Sequence, residues 1–91
     1  MEFEWNENKN VENIKKHSVS FEEPEMAFRD ENAVELYDEL NSDDETHYQI
    51  IALSPNRLLF VAFTVRGKTI RIISARKANQ KQVKIYNEYN G

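Results

Sequence analysis

The chain has 91 residues, enough for one modest hydrophobic core. We therefore expect a single domain over residues 1–91 and exclude a barrel enzyme or a Rossmann nucleotide-binding unit. The 40% hydrophobic and 31% charged residues are typical of a soluble globular domain. The absence of cysteine excludes disulfides, thiolate metal sites and cysteine nucleophiles. Neither a membrane-spanning run nor a signal peptide is evident, so we expect a cytoplasmic protein with no membrane contact.

The net charge of −4 is unevenly distributed along the chain. Fifteen of the 16 acidic residues lie in residues 1–56, whereas eight of the 12 lysines and arginines lie in residues 57–91. A basic C-terminal third predicts an anionic ligand on one face, with the acidic face left for solvent or for a basic partner. The same distribution is also compatible with two solvated faces of one sheet, so charge alone leaves both interpretations open.

The first 17 residues predict a strand and a helix. Residues 3–5 alternate apolar and polar side chains, which indicates a short strand. Asn6 is a favourable N-cap, so we expect a helix from there to about His17. On a helical wheel Val11 and Ile14 fall together and predict the packing face, whereas the opposite face is cationic. This cationic face comprises Lys9, Asn13 and Lys16, with His17 near its edge.

A second short helix is predicted to begin at Ser20, because Ser20-Phe21-Glu22-Glu23 matches a capping box. In this motif the hydroxyl of the first residue and the carboxylate of the fourth satisfy backbone N–H groups at the start of the helix. Phe21 and Phe28 are seven residues apart, which places them on one helical face and predicts that both enter the core.

Residues 34–75 favour strands, and a further helix is expected at the C-terminus. The fold predicted from this order is a small α+β domain with a strand, two helices, four antiparallel strands and a final helix. The expected elements are strands from Val34 to about Glu39, at His47–Leu53, at Arg57–Val65 and at Thr69–Ala75, an acidic loop at Asn41–Glu45, a hairpin at Arg66–Lys68, and a helix at about Asn79–Tyr89.

Several enzyme classes lack the residues that they need. The chain has no phosphate-binding loop, zinc-ligand spacing, H-E-x-x-H, G-x-S-x-G or calcium loop. His17 and His47 are thirty residues apart, and neither has a second ligand at a metal-binding spacing. We therefore expect no metal site and no cofactor, whereas acid–base use of either histidine remains open.

The basic run from Arg66 to Lys77 is the strongest chemical feature. Strand alternation places Arg71 with Ala75 on one face and Ser74 on the other. An arginine among apolar neighbours is costly unless it meets a carboxylate or a ligand phosphate. Clustered guanidiniums suit the cleavage of an RNA phosphodiester, because they bind the phosphate and stabilise its developing charge. Alternatively, single arginines pair with N-terminal acids and only stabilise the fold.

The order and spacing of motifs over nearly the whole chain resemble the BrnT family of type II toxins. The matching residues are Phe3-x-Trp5-Asn6, Lys9, Asn13, Lys16-His17, Val19-Ser20-Phe21-Glu22-Glu23, Phe28-x-Asp30, Thr64-x-Arg66, Arg71-Ile72-Ile73-Ser74-Ala75-Arg76-x-Ala78 and Tyr86. The resemblance implies a RelE-like ribonuclease fold, metal-independent RNA cleavage that inhibits translation, and neutralisation by a BrnA-like ribbon-helix-helix antitoxin. It also implies that operator DNA is bound only through that antitoxin.

The resemblance also points to site residues. The family's basic and histidine positions fall on Lys9, Lys16, His17, Arg66, Arg71 and Arg76. As an enzyme hypothesis, we expect Lys16, His17, Arg66 and Arg76 to be catalytic, and Lys9, Arg71 and Lys77 to contact RNA. Where the family has a Glu-Arg pair, this chain has Thr46-His47, so His47 and the adjacent Glu45 are additional acid–base candidates. This departure keeps a second hypothesis open: a catalytically inactive toxin relative that binds an antitoxin or RNA, with Tyr86 and Tyr89 as stacking platforms.

Overall fold

The computed structural model describes residues 1–39 and 45–91 and confirms the α+β prediction. Five strands form one sheet in the order β1-β5-β4-β3-β2, in which β1 is parallel to β5 and the other neighbours are antiparallel. Apart from Glu45, the predicted acidic loop lies outside the described residues. The elements are β1 Glu2–Glu4, α1 Glu7–His17, α2 Glu23–Ala27, β2 Val34–Asp38, β3 His47–Leu53, β4 Leu58–Arg66, β5 Thr69–Lys77 and α3 Gln80–Asn90.

The sheet has a core on each face. We call one the α2 face, because Ala27 of α2 packs there, and the other the α3 face, because Ile85 and Tyr86 of α3 pack there. Adjacent residues of one strand alternate between the two faces, which is why the middle strands are apolar on both sides. The α2 face buries Val19, Phe21, Ile50, Leu59, Val61, Phe63, Ile70, Ile72 and Ala75, and the α3 face buries Val34, Ile51 and Ala78.

Helix α1 begins as predicted, but the predicted packing face is wrong. The Asn6 side chain accepts a hydrogen bond from the Lys9 N–H, as expected of an N-cap. Val11 and Ile14, however, are 44% and 43% exposed, whereas the polar residue Asn13 is buried. The reason is that α1 packs against β5 with polar groups, because a strand edge presents backbone groups that need hydrogen-bond partners.

Asn13 supplies those partners. Its carboxamide donates to Ala75 O at 2.7 Å, accepts from the Ala75 N–H at 3.3 Å and donates to Val19 O at 2.8 Å. The neighbouring Asn10 is also buried and accepts a hydrogen bond from the Phe21 N–H at 2.8 Å. Two buried amides therefore attach α1 to β5 and to the segment that follows the helix.

The capping box predicted at Ser20 is also wrong. Helix α2 begins at Glu23, and its N-cap residue makes no side-chain hydrogen bond to the helix. The Glu23 carboxylate accepts two hydrogen bonds from Arg57 at 2.8 and 2.9 Å and one from the Ser54 hydroxyl at 3.0 Å. A bidentate charged pair is stronger than a bond to one backbone amide, so Glu23 turns towards the connection between β3 and β4. Phe21 precedes the helix but is buried in the core, as predicted.

Helix α3 is held on its face by Asp30. The Asp30 carboxylate accepts hydrogen bonds from the Tyr86 hydroxyl at 2.7 Å, the Leu53 N–H at 2.9 Å and the Asn32 N–H at 2.9 Å. Burial raises the pKa of Asp30, but these hydrogen bonds outweigh it, so its pKa lies below the ordinary value. Burial and the contact with Asp30 raise the pKa of Tyr86 to about 12. The two groups connect α3 with β3 and with the segment after α2.

Candidate active site

An irregularity in β5 decides which side chains share a face. Ile72 pairs with Phe63 and Ser74 pairs with Ala62, so Ile73 is an extra residue opposite β4. The sequence prediction that Ala75 shares a face with Arg71 is therefore wrong: Ala75 is buried in the core of the α2 face, and Ser74 faces the other way. Bulges of this kind redirect side chains and are frequent near active sites.

The bulge brings two arginines to one face. Arg71 and Arg76 are five residues apart, which would place them on opposite faces of a regular strand. Instead, Arg71 pairs with Thr64 and Arg76 pairs with Phe60, and these two β4 residues lie on the same face because they are four apart. Arg71, Ser74 and Arg76 therefore all lie on the α3 face.

The α3 face has an apolar half and a polar half. Helix α3 covers the apolar half, where Ile51, Phe60 and Val34 pack. In the polar half, one row crosses all five strands, because the register pairs each residue with the next across the sheet. The row consists of Asp38, His47, Thr64, Arg71 and Glu4, with Gln49, Ala62 and Ser74 next to it.

A groove between α1 and β5 opens at Ser74. It has a volume of about 610 Å³, within the range of small-ligand sites. Three predicted site residues, Lys9, Lys16 and His17, line it together. Its remaining lining residues are Glu12, Asn13, Lys15, Ile73 and Ser74. Ser74 lines the groove and also belongs to the polar half of the sheet, so the two regions adjoin there.

The positive charges of this groove are not neutralised by ion pairs. Within residues 1–39 and 45–91, Lys9, Lys16 and His17 make no ion pair of 4 Å or less. All three are exposed, and all three lie on or close to one side of α1. Exposed cations that converge on a groove attract an anion that can displace water from several of them at once. The groove is therefore suited to a phosphate-containing ligand.

A second group of predicted residues lies at the end of the sheet, and its arginines are already paired. Arg66 binds Glu45 in a bidentate ion pair, at 2.9 and 3.0 Å, and Arg71 lies 3.3 Å from a carboxylate oxygen of Glu4. The hydrogen bonds from Arg66 and the nearby charges of Arg66, His47 and Arg71 lower the pKa of Glu45, although desolvation opposes them. Glu45 is therefore ionised at neutral pH.

Arg76 occupies a different environment. Its guanidinium carbon lies 4.7 Å from the centre of the Phe60 ring, and Nη1 donates to the Gln82 side chain at 3.2 Å and to Lys77 O at 3.3 Å. All three partners are uncharged, and within residues 1–39 and 45–91 Arg76 makes no ion pair of 4 Å or less. Lys77 pairs with Leu59, which places its side chain on the α2 face, away from the other predicted RNA contacts.

Sequence reasoning missed Ser74 as a site residue. It appears in the motif between Arg71 and Arg76, but regular alternation assigned it to the wrong face. A signal was available: two arginines five residues apart can share a face only if the strand contains an extra residue. Asn13 was similarly placed on the cationic stripe and turned out to be a buried backbone partner.

The part of the chain that the structure describes contains no group of three or more His, Cys, Asp or Glu residues arranged to hold a metal ion. No helix in the same residues is both long enough and apolar enough to cross a membrane. A basic groove beside a sheet with arginines on one face is typical of the class of proteins that bind a phosphate-containing ligand such as RNA.

Comparison with known families agrees with this class. The family model described as the ribonuclease toxin BrnT of type II toxin–antitoxin systems matches residues 5–82. The chain therefore belongs to the BrnT toxin family. Membership implies a ribonuclease toxin with RNA as its target and an antitoxin as its partner. A search of curated proteins finds no match.

Proposed function

We propose that residues 1–91 form a single toxin domain that cleaves RNA internally without a metal ion, and thereby inhibits translation and growth. The ribose 2′-OH attacks the adjacent phosphorus, its proton passes to a base, and the 5′-oxygen leaves with a proton from an acid. The products are a 2′,3′-cyclic phosphate and a 5′-hydroxyl. This chemistry requires positive charge at the phosphate and one group that moves protons.

The observation that carries this proposal is the set of cations on either side of Ser74 that have no carboxylate partner in the part of the chain that the structure describes. Lys16 and His17 line the groove on one side, and Arg76 follows Ser74 by two residues on the same face of β5. Residues two apart in a strand are about 7 Å apart. A phosphodiester at Ser74 would therefore be within reach of both the groove and the Arg76 guanidinium.

The roles follow from these positions. His17 transfers protons, Lys16 stabilises negative charge in the transition state, and Arg76 binds the scissile phosphate. In the free protein the Arg66 guanidinium is bound to the Glu45 carboxylate. Arg66 therefore contacts the phosphate only when RNA displaces Glu45. Glu45 is ionised and His47 lies in the row of the polar half, so both remain secondary acid–base candidates. Lys9 contacts the RNA backbone, and Arg71 does so when RNA displaces Glu4. Lys77 lies on the α2 face, so it would contact only RNA that extends beyond this site.

The partner that we propose is a BrnA-like ribbon-helix-helix antitoxin. Its support is the family membership together with the acidic N-terminal part of this chain, which suits a basic segment. The toxin itself carries no proposed DNA site; operator DNA is bound only through the antitoxin.

Induction of the chain in a bacterial host tests the function directly. We expect growth arrest and fragmentation of total RNA, relief of both by His17→Ala and by Arg76→Ala, and no relief by Lys84→Ala. Lys84 is the matched control, because it is a basic residue that lies on the exposed surface of α3, 76% accessible. Purified protein should cleave RNA equally well in EDTA and in magnesium.

Two outcomes would contradict the proposal. Harmless expression with intact RNA, from a wild-type chain shown to be folded, would favour the inactive relative that binds an antitoxin or RNA. Loss of cleavage in EDTA, with recovery after a divalent metal is added, would retain the ribonuclease but exclude the metal-independent mechanism.

A further inference from the structure

The side-chain oxygen of Gln82 accepts two hydrogen bonds, one that caps α3 and one from Arg76. Gln82 is the third residue of α3, and its side-chain oxygen accepts a hydrogen bond from the Asn79 N–H at 3.0 Å, which completes a capping box with the Asn79 side chain. The same oxygen accepts the bond from Arg76 Nη1 at 3.2 Å. The start of α3 therefore fixes the position of the group that orients Arg76.

A glutamate would serve the helix at least as well as the glutamine does. Glu and Gln both complete a capping box, and a negative charge in the first turn of a helix is favourable. A carboxylate in this position would, however, form an ion pair with Arg76 and neutralise it, as Glu45 neutralises Arg66. The stability of the helix therefore does not explain why residue 82 is a neutral glutamine. The need to keep the positive charge of Arg76 available to a ligand does explain it.

We propose that Gln82 is a positioning residue, which together with Phe60 holds the Arg76 guanidinium in place without neutralising it. The aromatic ring lies beneath the guanidinium and the amide oxygen fixes its rotation, so the remaining N–H donors are directed to the ligand. This inference rests on the proposed role of Arg76 at the RNA phosphate. Gln82 itself touches neither RNA nor the reacting atoms.

The test is the affinity for a fluorescein-labelled 2′-O-methyl RNA 12-mer, which cannot be cleaved because its 2′ oxygens are blocked. Gln82→Glu should weaken binding about 10-fold, the effect of losing roughly one phosphate contact. The thermal midpoint should stay at the wild-type value or rise, since the capping box is kept. Gln80→Glu, an exposed change of equal charge in the same turn of α3, should alter binding less than twofold.

The Arg76→Ala background separates positioning from general repulsion of RNA. There Gln82→Glu should have no further effect on RNA affinity, because the group that it neutralises is gone. The proposal is overturned if Gln82→Glu binds like wild type, if Gln80→Glu weakens binding equally, or if the loss persists without Arg76.

A readout without RNA keeps this inference separate from the proposed function. In NMR spectra of the wild type, hindered rotation should give Arg76 distinct Nη–H resonances, and Gln82→Ala should average them. If the wild type fails to bind or cleave RNA but shows these resonances, the ribonuclease proposal fails and the positioning of Arg76 stands. Averaged resonances in the wild type would refute the positioning role.

Discussion

Arg66 and Arg76 lie on the same face of one sheet but in opposite electrostatic surroundings. Arg66 ends β4 and is held by two hydrogen bonds from its guanidinium to the Glu45 carboxylate. Arg76 lies near the end of β5 and is held by an aromatic ring, an amide oxygen and a backbone carbonyl. Both are positioned, but only Arg76 retains its full charge for a ligand.

The difference shows that the presence of a basic motif does not establish its use. A phosphate that approaches Arg66 must compete with a carboxylate that already occupies the bidentate donors. A phosphate that approaches Arg76 competes with no carboxylate among its partners, which are an aromatic ring, an amide oxygen and a backbone carbonyl. We therefore expect the two arginines, which the sequence places in one catalytic set, to contribute unequally.

The largest expected effect is on the cleavage rate of the two alanine variants. Arg76→Ala should lower the rate of RNA cleavage about 100-fold, the cost of losing one donor to a developing negative charge. Arg66→Ala should lower it by about 10-fold or less, because Glu45 already offsets that charge. The measurement is the single-turnover rate with a labelled RNA, with Lys68→Ala in the exposed hairpin as control. A greater loss for Arg66→Ala would reverse the assignment.

The next prediction concerns the wall of the groove rather than its charges. Asn13→Ala should lower the free energy of unfolding by about 3 kcal/mol, because it leaves buried backbone groups of Ala75 and Val19 without partners. Asn8→Ala, an exposed change on the same helix, should leave stability within about 0.5 kcal/mol of wild type. Urea unfolding measures both, and equal stability of the two variants would show that α1 is not held through Asn13.

A smaller effect should follow from freeing Arg66. Glu45→Gln removes the charge that neutralises it, so affinity for non-cleavable RNA should rise about 3-fold to 5-fold, and the gain should shrink at high salt. Glu31→Gln provides an exposed substitution with the same change in charge. If Glu45→Gln instead leaves affinity unchanged and lowers the cleavage rate, Glu45 acts as the base rather than as a competitor for Arg66.

The elements were largely predictable from the sequence, because they depend on local signals. The Asn6 cap, the alternation in His47–Leu53 and the glycine of the β4–β5 hairpin, with φ at 61°, each act within a few residues. The facing of α1 was not predictable in this way. A helical wheel assumes that the apolar side chains of a helix face the protein. Helix α1 instead packs on a strand edge, whose backbone groups need hydrogen-bond partners such as side-chain amides.

The site was predictable in composition but not in arrangement. Lys16, His17 and the arginines could be identified as basic residues. Lys16 and His17 line the groove and make no ion pair within residues 1–39 and 45–91, Arg66 and Arg71 pair with carboxylates, and Arg76 contacts uncharged groups. That division depends on contacts between distant parts of the chain, such as Arg66 with Glu45 and Arg71 with Glu4. The bulge at Ile73 depends on the register with β4, and the spacing of Arg71 and Arg76 indicates it only once both arginines are assigned to one face.

A final small effect, on stability at the extremes of pH, tests whether the position of Arg76 depends on α3. Because the folded pKa of Tyr86 is raised from 10.0 to about 12, its contribution to stability is complete below pH 10 and is lost as the pH rises towards 12. The pKa of Asp30 is lowered in the folded protein, so its contribution is present above about pH 3.8 and is lost as the pH falls through the folded value.

Tyr86→Phe should therefore flatten the alkaline side of the stability profile, and Asp30→Asn the acid side. At neutral pH the loss of one hydrogen bond in Tyr86→Phe should cost about 1 kcal/mol. Thermal unfolding across the pH range measures both.

Tyr86 holds α3, and α3 carries Gln82. Tyr86→Phe should therefore also average the Nη–H NMR resonances of Arg76, while the Arg66–Glu45 ion pair persists. If both arginines respond equally, the two ends of the site are coupled through the sheet and the contrast between them does not depend on α3.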